Sequence, residues 1–506
     1  MRKGTALLLA VLVCLSLCGC EETPVSVAPS PSPSPEPSIV PVEQKPLVLG
    51  YDPTESLHPI TGENQVNRML TSLIYEGLYR LDETFAPQAV LAGYAEVDPS
   101  GLIWTISVVE DRVFSDGTPM TAAQVASSLN TARKSSVYAS RLKDIVSVRA
   151  SGSAVTITLS QPNGALTALL DIPVVLETEN SPAPLGTGRY RYAQNGEDLY
   201  LMANYNREGE VPYATIGLCP VSATDERIAA FDSGRVNVVT TDFLSPYALG
   251  YSCDYEIWSY ATTDMLYVGF RSVESPCEDA VVRQAFARSF DRVGIVRESL
   301  SGYGDATTLP VSPLHEDWDE KRDLLLSYDL QSAADLLGQA GYTRNEEDGM
   351  LYRGRTALSV VLIVNSDNIV KGAVADRLAE TLNGLGVSVD VRKLPWKDYV
   401  AALEKGEFDL YIGEVRLSAD FDLTELLAGS LNYGGYDATT LLEAATKREE
   451  SSGHRRYWLT RALWEDLAQE VPFAPLCFKK ESMLVHWNVM SAPTPIYGDL
   501  FYGMDA

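Results

Sequence analysis

Histidine and cysteine are scarce in this 506-residue chain, which contains four of the first and seven of the second. The histidines share no helical spacing, and no two cysteines form a C-x-x-C pair, so the sequence has no pattern typical of a metal site. The motifs G-x-S-x-G and H-E-x-x-H and a Gly-Lys dipeptide are also absent. These absences remove the signatures of several large enzyme classes. We therefore expect neither catalysis nor a bound cofactor.

Basic residues are also few relative to acidic ones. Lys and Arg number 40 against 68 Asp and Glu, which gives a formal net charge of −28. A surface this acidic repels phosphate backbones and anionic lipid head groups. A nucleic-acid partner is therefore not expected, and neither is electrostatic adhesion to a membrane.

One mostly apolar run stands near the N-terminus, at residues 5–17, after Arg2 and Lys3. It is too short to span a bilayer comfortably and is typical of a secretory signal. It ends in Leu-Cys-Gly-Cys, which resembles a bacterial lipobox. The resemblance implies that residues 1–19 are a lipoprotein signal peptide and that Cys20 becomes the lipidated N-terminus. The alternative is an ordinary secretory signal in which Cys20 is only another thiol.

Residues 20–46 are rich in proline and serine, with Ser-Pro repeats at 29–35. Such a tract has little apolar surface to bury and favours extended polyproline II. We interpret it as a tether that holds a folded body away from the membrane, so that only the lipid anchor contacts the bilayer. A motif for proline-binding modules is the alternative.

Four cysteines remain in the body of an exported protein. One or two disulfides are possible outside the cytoplasm, with Cys219–Cys253 as the favoured pair. Buried free thiols are the competing interpretation. The four residues are Cys219, Cys253, Cys277 and Cys477.

Strand and helix patterns begin at Leu47. Apolar spacings of three and four predict amphipathic helices over residues 65–79 and 279–300. In the second half, strands are predicted at 358–364, 387–394 and 408–413, with helices at 370–385 and 396–404 between them. Alternation of this kind indicates an α/β fold with right-handed crossovers and a largely parallel sheet.

Seven different short motifs occur one after another through the body of the chain. They are residues 52–59 (DPTESLHP), 74–78 (IYEGL), 114–122 (FSDGTPMTA), 186–190 (GTGRY), 282–292 (VRQAF with FDR), 333–342 (AADLL with AGY) and 406–410 (GEFDL). Each is weak alone, but the ordered set resembles the family 5 extracellular solute-binding proteins. These are the dipeptide, oligopeptide and nickel-type receptors of ABC importers.

The resemblance implies a type II periplasmic-binding-protein fold with two main lobes and an additional subdomain in the N-terminal lobe. Residues 47–264 and 472–506 would form the N-terminal lobe, with the inserted subdomain at about 80–180, and residues 265–471 the C-terminal lobe. The chain would cross between lobes near 262–271 and 470–478. A solute would be held in the cleft between the lobes, and hinge closure would follow its binding.

The function implied is that of a monomeric, lipid-anchored receptor on the extracytoplasmic face of the cell membrane. It would capture a small solute, with an oligopeptide as the first choice, and deliver it to an ABC permease and its ATPase subunits. Three alternatives stay open: an exported lipid-anchored hydrolase, a receptor for a metal chelate or oligosaccharide, and a sensing role without import.

The first ligand candidates follow the strand predicted at 408–413. In the peptide-binding branch of the family, the place that resembles residues 419–421 (ADF) holds an aspartate that pairs with the peptide's α-ammonium. Asp420 matches that place best and Asp422 is second. Either could instead cap the helix that opens at Leu423. Glu414 departs from the family pattern, which often has Trp there.

Four further residues are candidates for contact with the solute. Arg416 could bind a ligand carboxylate, with a solvated surface arginine as the competing interpretation. Arg271 ends the predicted crossover strand and could face the cleft. Tyr51 and Trp396 could stack on the ligand, although an aromatic residue near a strand end is more often part of the core.

Overall fold

The structure is a computed structural model that describes residues 45–179, 183–207, 209, 211–451 and 453–504. The predicted signal peptide, Cys20 and nearly all of the Pro/Ser-rich tether lie outside these residues. Among the helices in the described part of the chain, none is both long and apolar enough to cross a membrane.

Strands and helices alternate along the described chain. The strands are β1 (Val48–Tyr51), β2 (Tyr79–Leu81), β3 (Pro87–Ala89), β4 (Ala92–Val97), β5 (Ile103–Val108), β6 (Ile145–Ser151), β7 (Ala154–Leu159), β8 (Tyr190–Asn195), β9 (Asp198–Ala203), β10 (Thr215–Pro220), β11 (Val238–Thr241), β12 (Glu256–Phe270), β13 (Gly304–Ala306), β14 (Thr343–Arg344), β15 (Leu351–Arg353), β16 (Thr356–Ala357), β17 (Ser359–Asn365), β18 (Ser388–Leu394), β19 (Leu410–Arg416) and β20 (Phe473–Val485). The helices are α1 (Gln65–Arg68), α2 (Thr71–Ile74), α3 (Ala122–Ala132), α4 (Thr224–Asp232), α5 (Ala280–Ser289), α6 (Arg292–Gly294), α7 (Glu320–Asp323), α8 (Leu330–Gln339), α9 (Ile369–Gly384), α10 (Trp396–Lys405), α11 (Thr424–Leu427), α12 (Thr439–Glu449) and α13 (Gly453–Glu470).

The largest sheet has the strand order β18-β17-β19-β12-β20-β11-β1-β10-β9-β8, with β13 on the side of β20. Pairing is parallel between β1 and its neighbours β10 and β11, and between β17 and its neighbours β18 and β19. The expectation of a largely parallel sheet is wrong. At the centre β12 pairs antiparallel with both β19 and β20, and β20 pairs antiparallel with β11 and β13. At one edge β8, β9 and β10 also pair antiparallel.

The two central strands join the two halves of this sheet. The first part of β12 pairs with the end of β20 beside β11, and its last part lies between β19 and the start of β20. Their register shifts between Ala261 and Met265. A bulge of this kind bends a strand and increases its local twist.

A separate antiparallel sheet has the order β4-β5-β7-β6 and packs against α3. In β5 the side chains of Trp104, Ile106 and Val108 are buried, and the residues between them are more exposed. This alternation gives the sheet one face toward α3 and the core. The region lies inside the segment that we expected as an inserted subdomain.

The hydrophobic core is divided into clusters. The first is built from residues between Leu47 and Val238 and from β20 onward, and the second lies between Leu244 and Cys477. A third cluster brings Phe85 from the first region against Phe421 from the second, with ring centroids 5.7 Å apart. Aromatic packing therefore connects the two regions.

Two predicted helices are interrupted in the structure. The helix expected at 65–79 is two short helices, α1 and α2, followed directly by extended chain at Tyr75. The helix expected at 279–300 ends at Ser289 and continues as α6 and a short π-helical turn. At the second break, the Asp291 carboxylate accepts a hydrogen bond from the Gly294 amide and restarts the chain as a new helix.

All four cysteines of the body are free thiols, so the favoured Cys219–Cys253 disulfide is wrong in this structure. The Cys219 sulfur lies 3.7 Å from a guanidinium nitrogen of Arg235. The Cys253 sulfur lies 3.7 Å from Nε2 of His486. The two thiols therefore have different neighbours.

Candidate functional site

A cavity of about 980 Å³ lies within the compact unit formed by Gln44–Ala506. Its lining comes from residues 63–169, from residues 415–464 and from Tyr497. Its volume is near the upper end of the roughly 300–1,000 Å³ typical of ligand pockets. The two contributing stretches belong to the two regions that the hydrophobic core separates.

The turn after β19 presents the first candidates to this cavity. Phe421 has φ +53°, a left-handed conformation that a bulky residue adopts only when its surroundings hold it there. Its ring is buried and lies edge-on to Phe85 and Phe478, each with a centroid distance of 5.7 Å. The Phe421 amide donates to the Ser418 carbonyl at 2.9 Å and closes the turn. Packing of one aromatic side chain thus fixes the residues on either side of it.

Asp420 lines the cavity and is only 8% exposed. Its carboxylate accepts hydrogen bonds from the Ser418 hydroxyl at 2.5 Å, from Nδ2 of Asn163 at 3.0 Å and from the Asp422 amide at 3.3 Å. It forms no ion pair with any described Lys, Arg or His. Burial raises its pKa above the ordinary carboxyl value, and the charge of Asp422 acts in the same direction. The site is therefore a buried carboxylate with polar partners and no cation in contact.

Asp422 lines the same cavity, and both oxygens of its carboxylate already have partners within the protein. One carboxylate oxygen accepts from the amide and the hydroxyl of Thr424 at 3.0 and 2.5 Å, at the start of α11. The other lies 3.3 Å from Nζ of Lys143, which also lies 3.6 Å from Glu425. Asp422 therefore accepts from the first amide of α11, as the capping interpretation requires, although Leu423 occupies the N-cap position itself. An ion pair with Lys143 adds to this contact.

Arg416 also lines the cavity, but its guanidinium is already paired. It donates to both carboxylate oxygens of Asp264, at 2.6 and 2.7 Å, and to Glu481 at 3.0 Å. Bidentate pairing of this kind is among the strongest side-chain hydrogen bonding in proteins. A ligand carboxylate would have to compete with two carboxylates of the chain, although the Arg416 side chain is 53% exposed.

Three of the predicted ligand contacts do not line the cavity. Arg271 donates to the Gly406 carbonyl and pairs with Glu274 at 3.1 Å. Tyr51 is buried at the end of β1, and Trp396 is 58% exposed at the first turn of α10. The structure therefore brings Asp420, Asp422 and Arg416 together and places the other three elsewhere.

Glu414, which departs from the family pattern, is part of an ionic network. Its carboxylate lies 2.9 Å from Nζ of Lys371 and 2.9 Å from Nζ of Lys479. Lys479 is buried on β20 and also pairs with Asp242 at 2.7 Å. Burial alone would raise the pKa of Glu414, but the two lysines outweigh it and hold the pKa below its ordinary value.

Several cavity residues were missed by sequence reasoning. Asn163, which donates to Asp420, is 257 positions away from it along the chain. Arg68 ends the short helix α1, and Lys143 and Arg141 lie in a turn of the first region. Apolar periodicity marks the buried face of a helix but gives no signal of the cavity that a polar side chain faces, so only the three-dimensional fold identifies this group.

No group of three or more His, Cys, Asp or Glu side chains in the described chain is arranged to hold a metal ion. The cavity instead offers carboxylates, guanidinium groups, Lys143 and apolar surface. This set of groups can bind a solute that carries charges of both signs along an apolar body.

Residues 86–432 match the model of the family described as bacterial extracellular solute-binding proteins, family 5 Middle. The match includes β19 and the turn that carries Asp420, and it covers more than half of the chain.

Individual relatives share about a quarter or less of their residues with this chain. The oligopeptide-binding protein AppA of Bacillus subtilis is 23% identical over 83% of this chain and 83% of its own length. The glutathione-binding protein GsiB of Escherichia coli K12 is 26% identical, over 57% of this chain and 59% of its own length. The crystal structure of a nickel ABC transporter protein from Bacillus halodurans superposes with a TM-score of 0.71 and 20% identity, covering 88% of this chain and 96% of that one. This structural likeness shows a shared fold, the type II periplasmic-binding-protein fold with two lobes.

Proposed function

Because the chain belongs to the bacterial extracellular solute-binding proteins of family 5, we propose that it captures a peptide-like solute and delivers it to an ABC permease. The observation that carries the proposal is Asp420, a carboxylate that lines a cavity of about 980 Å³ and forms no direct ion pair with any cation of the described residues. A peptide ammonium would supply that partner, and a charge-assisted hydrogen bond in a closed cavity is strong. AppA and GsiB, whose names describe oligopeptide and glutathione binding, support this choice of solute class.

The ligand contacts that we propose are Asp420 first, with Asp422 and Arg416 at the edge of the same cavity. We leave Arg271, Tyr51 and Trp396 out of the proposed site because they do not line it. The solute would be released chemically unaltered, since the proposed role is that of a receptor and not of an enzyme.

In the proposed mechanism, two lobes close on the solute. We place residues 47–264 and 472–506 in the N-terminal lobe and residues 265–471 in the C-terminal lobe. The register shift between Ala261 and Met265 supports a hinge in β12, because a bulge is a natural place for a strand to bend. A solute that contacts both lobes would favour the closed state by its differential affinity.

Attachment to the membrane is a further part of the proposal. We propose that Cys20 carries the lipid and that the Pro/Ser-rich residues that follow hold a monomeric receptor near its permease. Replacing Cys20 with Ser should move the protein from the membrane fraction to the soluble fraction. Retention of the C20S protein in the membrane fraction would contradict the lipid anchor.

Isothermal titration calorimetry with peptides found to co-purify with the protein tests the binding role. Asp420→Asn, which keeps the size and removes the charge, should weaken affinity by at least about tenfold, equivalent to about 1.4 kcal/mol. Asp390→Asn is the matched control, since Asp390 lies on the exposed strand β18 and pairs only locally with Arg392 at 2.8 Å. Equal affinities of wild type and D420N for these peptides would reject the role of Asp420.

A further inference from the structure

A second cavity, of about 340 Å³, lies within the first region of the chain. Its lining comes from residues 71–112, 171–207 and 497–499. It shares Tyr497 with the larger cavity, but Asp420, Asp422 and Arg416 do not line it. The second cavity is therefore separate from the proposed solute contacts.

The lining of the second cavity is rich in arginine. Its charged members are four guanidinium groups and three carboxylates, from Arg80, Arg112, Arg189, Arg207, Glu76, Asp171 and Asp499. A fifth guanidinium group, that of Arg141, pairs with Asp171 from outside this lining. Five positive charges therefore meet three negative ones, and two positive charges are left over. This excess occurs in a chain whose net charge is −28.

The other two carboxylates of the lining also have arginine partners. Glu76 accepts hydrogen bonds from Nε of Arg207 at 3.0 Å and from the Thr187 hydroxyl at 2.8 Å. Asp499 is buried, and burial raises its pKa, while the positive charge of Arg189 acts against that rise. The carboxylates of the second cavity are thus already matched with cations of the chain.

Arg80 and Arg112 are the two arginines that remain. Nη1 of Arg80 lies 4.0 Å from Asp499, and Nε of Arg112 lies 3.8 Å from Glu76, and both distances are too long for hydrogen bonds. Neither guanidinium group donates a hydrogen bond to any residue that the structure describes. The Arg80 guanidinium carbon lies 4.8 Å from the centroid of the Tyr502 ring, which holds the face of the group and leaves its N–H edge available. The two side chains are 44% and 26% exposed, so an ion from solvent can reach them.

A doubly charged oxyanion matches both the excess charge and the available donors. A phosphate group carries about −1.5 to −2 charges at pH 7 and three strong acceptor oxygens, so it can accept from two guanidinium groups at once. A carboxylate carries a single charge and would leave part of the excess uncompensated. Guanidinium groups also suit the geometry of phosphate oxygens.

We propose that the second cavity is a phosphate site, in which Arg80 and Arg112 bind the phosphate oxygens. The inference goes beyond the proposed function and does not depend on it, because the site is separate from Asp420. The phosphate could be the free ion or the group of a small phosphate monoester, and the chemistry of recognition is the same for both.

Isothermal titration calorimetry at pH 7 and constant ionic strength tests the site, with inorganic phosphate, methyl phosphate and acetate as separate probes. Wild-type protein should bind inorganic phosphate saturably at one site. Arg80→Met and Arg112→Met should each weaken that binding by at least about tenfold. Arg149→Met removes the same charge at an exposed position on β6 outside both cavities and should bind phosphate as wild type does. D420N should also bind phosphate as wild type does.

The outcomes separate the possible sources and errors. Absence of saturable phosphate binding by wild type would overturn the site, and this measurement needs no variant to fold. Equal affinities of wild type, R80M and R112M, or an equal loss in R149M, would also overturn it. Loss of phosphate binding in D420N would place the ion in the larger cavity and refute a separate site. Acetate binding as tight as phosphate binding would refute the choice of a dianion. Methyl phosphate that binds as well as phosphate would support a monoester as the source, and binding of inorganic phosphate alone would support the free ion.

Discussion

The buried carboxylate of Asp420 is expected to lower the stability of the solute-free protein while it strengthens the binding of the solute. Its carboxylate is buried, and its partners are a hydroxyl, an amide side chain and a backbone amide, none of them charged. Burial raises its pKa, which means that the folded protein holds the proton more tightly than the unfolded chain does. At neutral pH, where the unfolded chain has lost this proton, the difference lowers the free energy of unfolding.

Asp420→Asn should therefore raise the melting temperature of the solute-free protein at pH 7. With the new amide nitrogen in the place of Oδ1, the Ser418 hydroxyl can reverse and accept from it, and Asn163 still donates to the amide oxygen; only the longer contact of the Asp422 amide, at 3.3 Å, is lost. The sign follows from linkage: with a raised folded pKa, stability falls as pH rises from the unfolded value of about 3.9 through the folded value, and asparagine does not titrate. Differential scanning fluorimetry at several pH values measures the difference, which should shrink as pH approaches about 4.

D390N is the control for loss of one negative charge, and its melting temperature should stay close to that of wild type at every pH. A lower melting temperature for D420N than for wild type at pH 7 would contradict the argument. It would show that hydrogen bonds to the ionised carboxylate outweigh the effect of its burial.

Lys479 presents the opposite case, a buried charge with two partners. Burial works against its charge, but Glu414 and Asp242 outweigh that effect and hold its pKa above the ordinary value. Lys479→Met should lower the free energy of unfolding by about 3–5 kcal/mol, since it leaves carboxylates without their buried cation. Urea denaturation measures the change.

Lys393→Met is the matched control, because Lys393 pairs with Asp376 on the surface at 2.6 Å. Exposed pairs contribute roughly 0–1 kcal/mol, so K393M should unfold nearly as wild type does. Similar losses in K479M and K393M would refute the distinction between the two ionic contacts.

The candidate site could be predicted only in part from the sequence. The family resemblance led to the turn at Asp420, because a local motif places that residue shortly after the end of β19. It failed to lead to Arg68, Tyr138 and Asn163, since their place in the cavity depends on contacts between distant segments. Trp396 was a candidate from its residue type alone, and the direction in which a residue at a helix start points is not encoded by that type.

Elements with strong local signals agree well with the structure. The helices expected at 370–385 and 396–404 correspond to α9 and α10 within one residue at each end. The helix expected at 65–79 breaks between α1 and α2 and ends at Ile74. Beyond that end, Gly77 packs directly against the backbone of Asp171, where even a Cβ atom would lie 2.9 Å from its carbonyl carbon. Long-range packing overrode local periodicity at that point. The long helix α13 had no expectation at all.

Helix α8 allows the cost of a backbone conformation to be measured within one element. Gly341 follows its last turn with φ +86°, a left-handed conformation that alanine adopts with strain. Gly341→Ala should lower the free energy of unfolding by about 1 kcal/mol. Thermal or urea unfolding monitored by circular dichroism provides the measurement.

Gly338, inside the same helix, is the matched control. A Cβ at that position would meet nothing within 4 Å, and the backbone is helical. Gly338→Ala should therefore raise the free energy of unfolding by roughly 0.5–1 kcal/mol. The two substitutions add the same methyl group, one inside α8 and one just after its end, with opposite expected signs for the change in the free energy of unfolding. Equal signs would refute the explanation.

At the scale of the whole molecule, the two regions of the chain that line the cavity contact each other around it. Asn163 donates to Asp420 and the Gly164 amide donates to Glu449 at 3.2 Å, while Phe85 packs on Phe421. These contacts are joined by the ion pairs of Lys143 with Asp422 and Glu425. Exposed polar contacts of this kind are individually weak, so closure of a receptor on its solute can remain reversible.

Lys143 offers the clearest test of how these contacts set the balance between open and closed forms. It pairs with Asp422 and Glu425 across the cavity, and each exposed pair contributes roughly 0–1 kcal/mol. Lys143→Glu replaces attraction with repulsion, so the solute-free protein should shift toward the open form and show a larger radius of gyration in small-angle X-ray scattering at low salt. The increase should diminish as added salt screens the charges. Lys134→Glu changes the net charge equally at an exposed position outside the cavity and should leave the radius unchanged. A K143E profile identical to that of K134E at low salt would mean that these ion pairs do not contribute to closure.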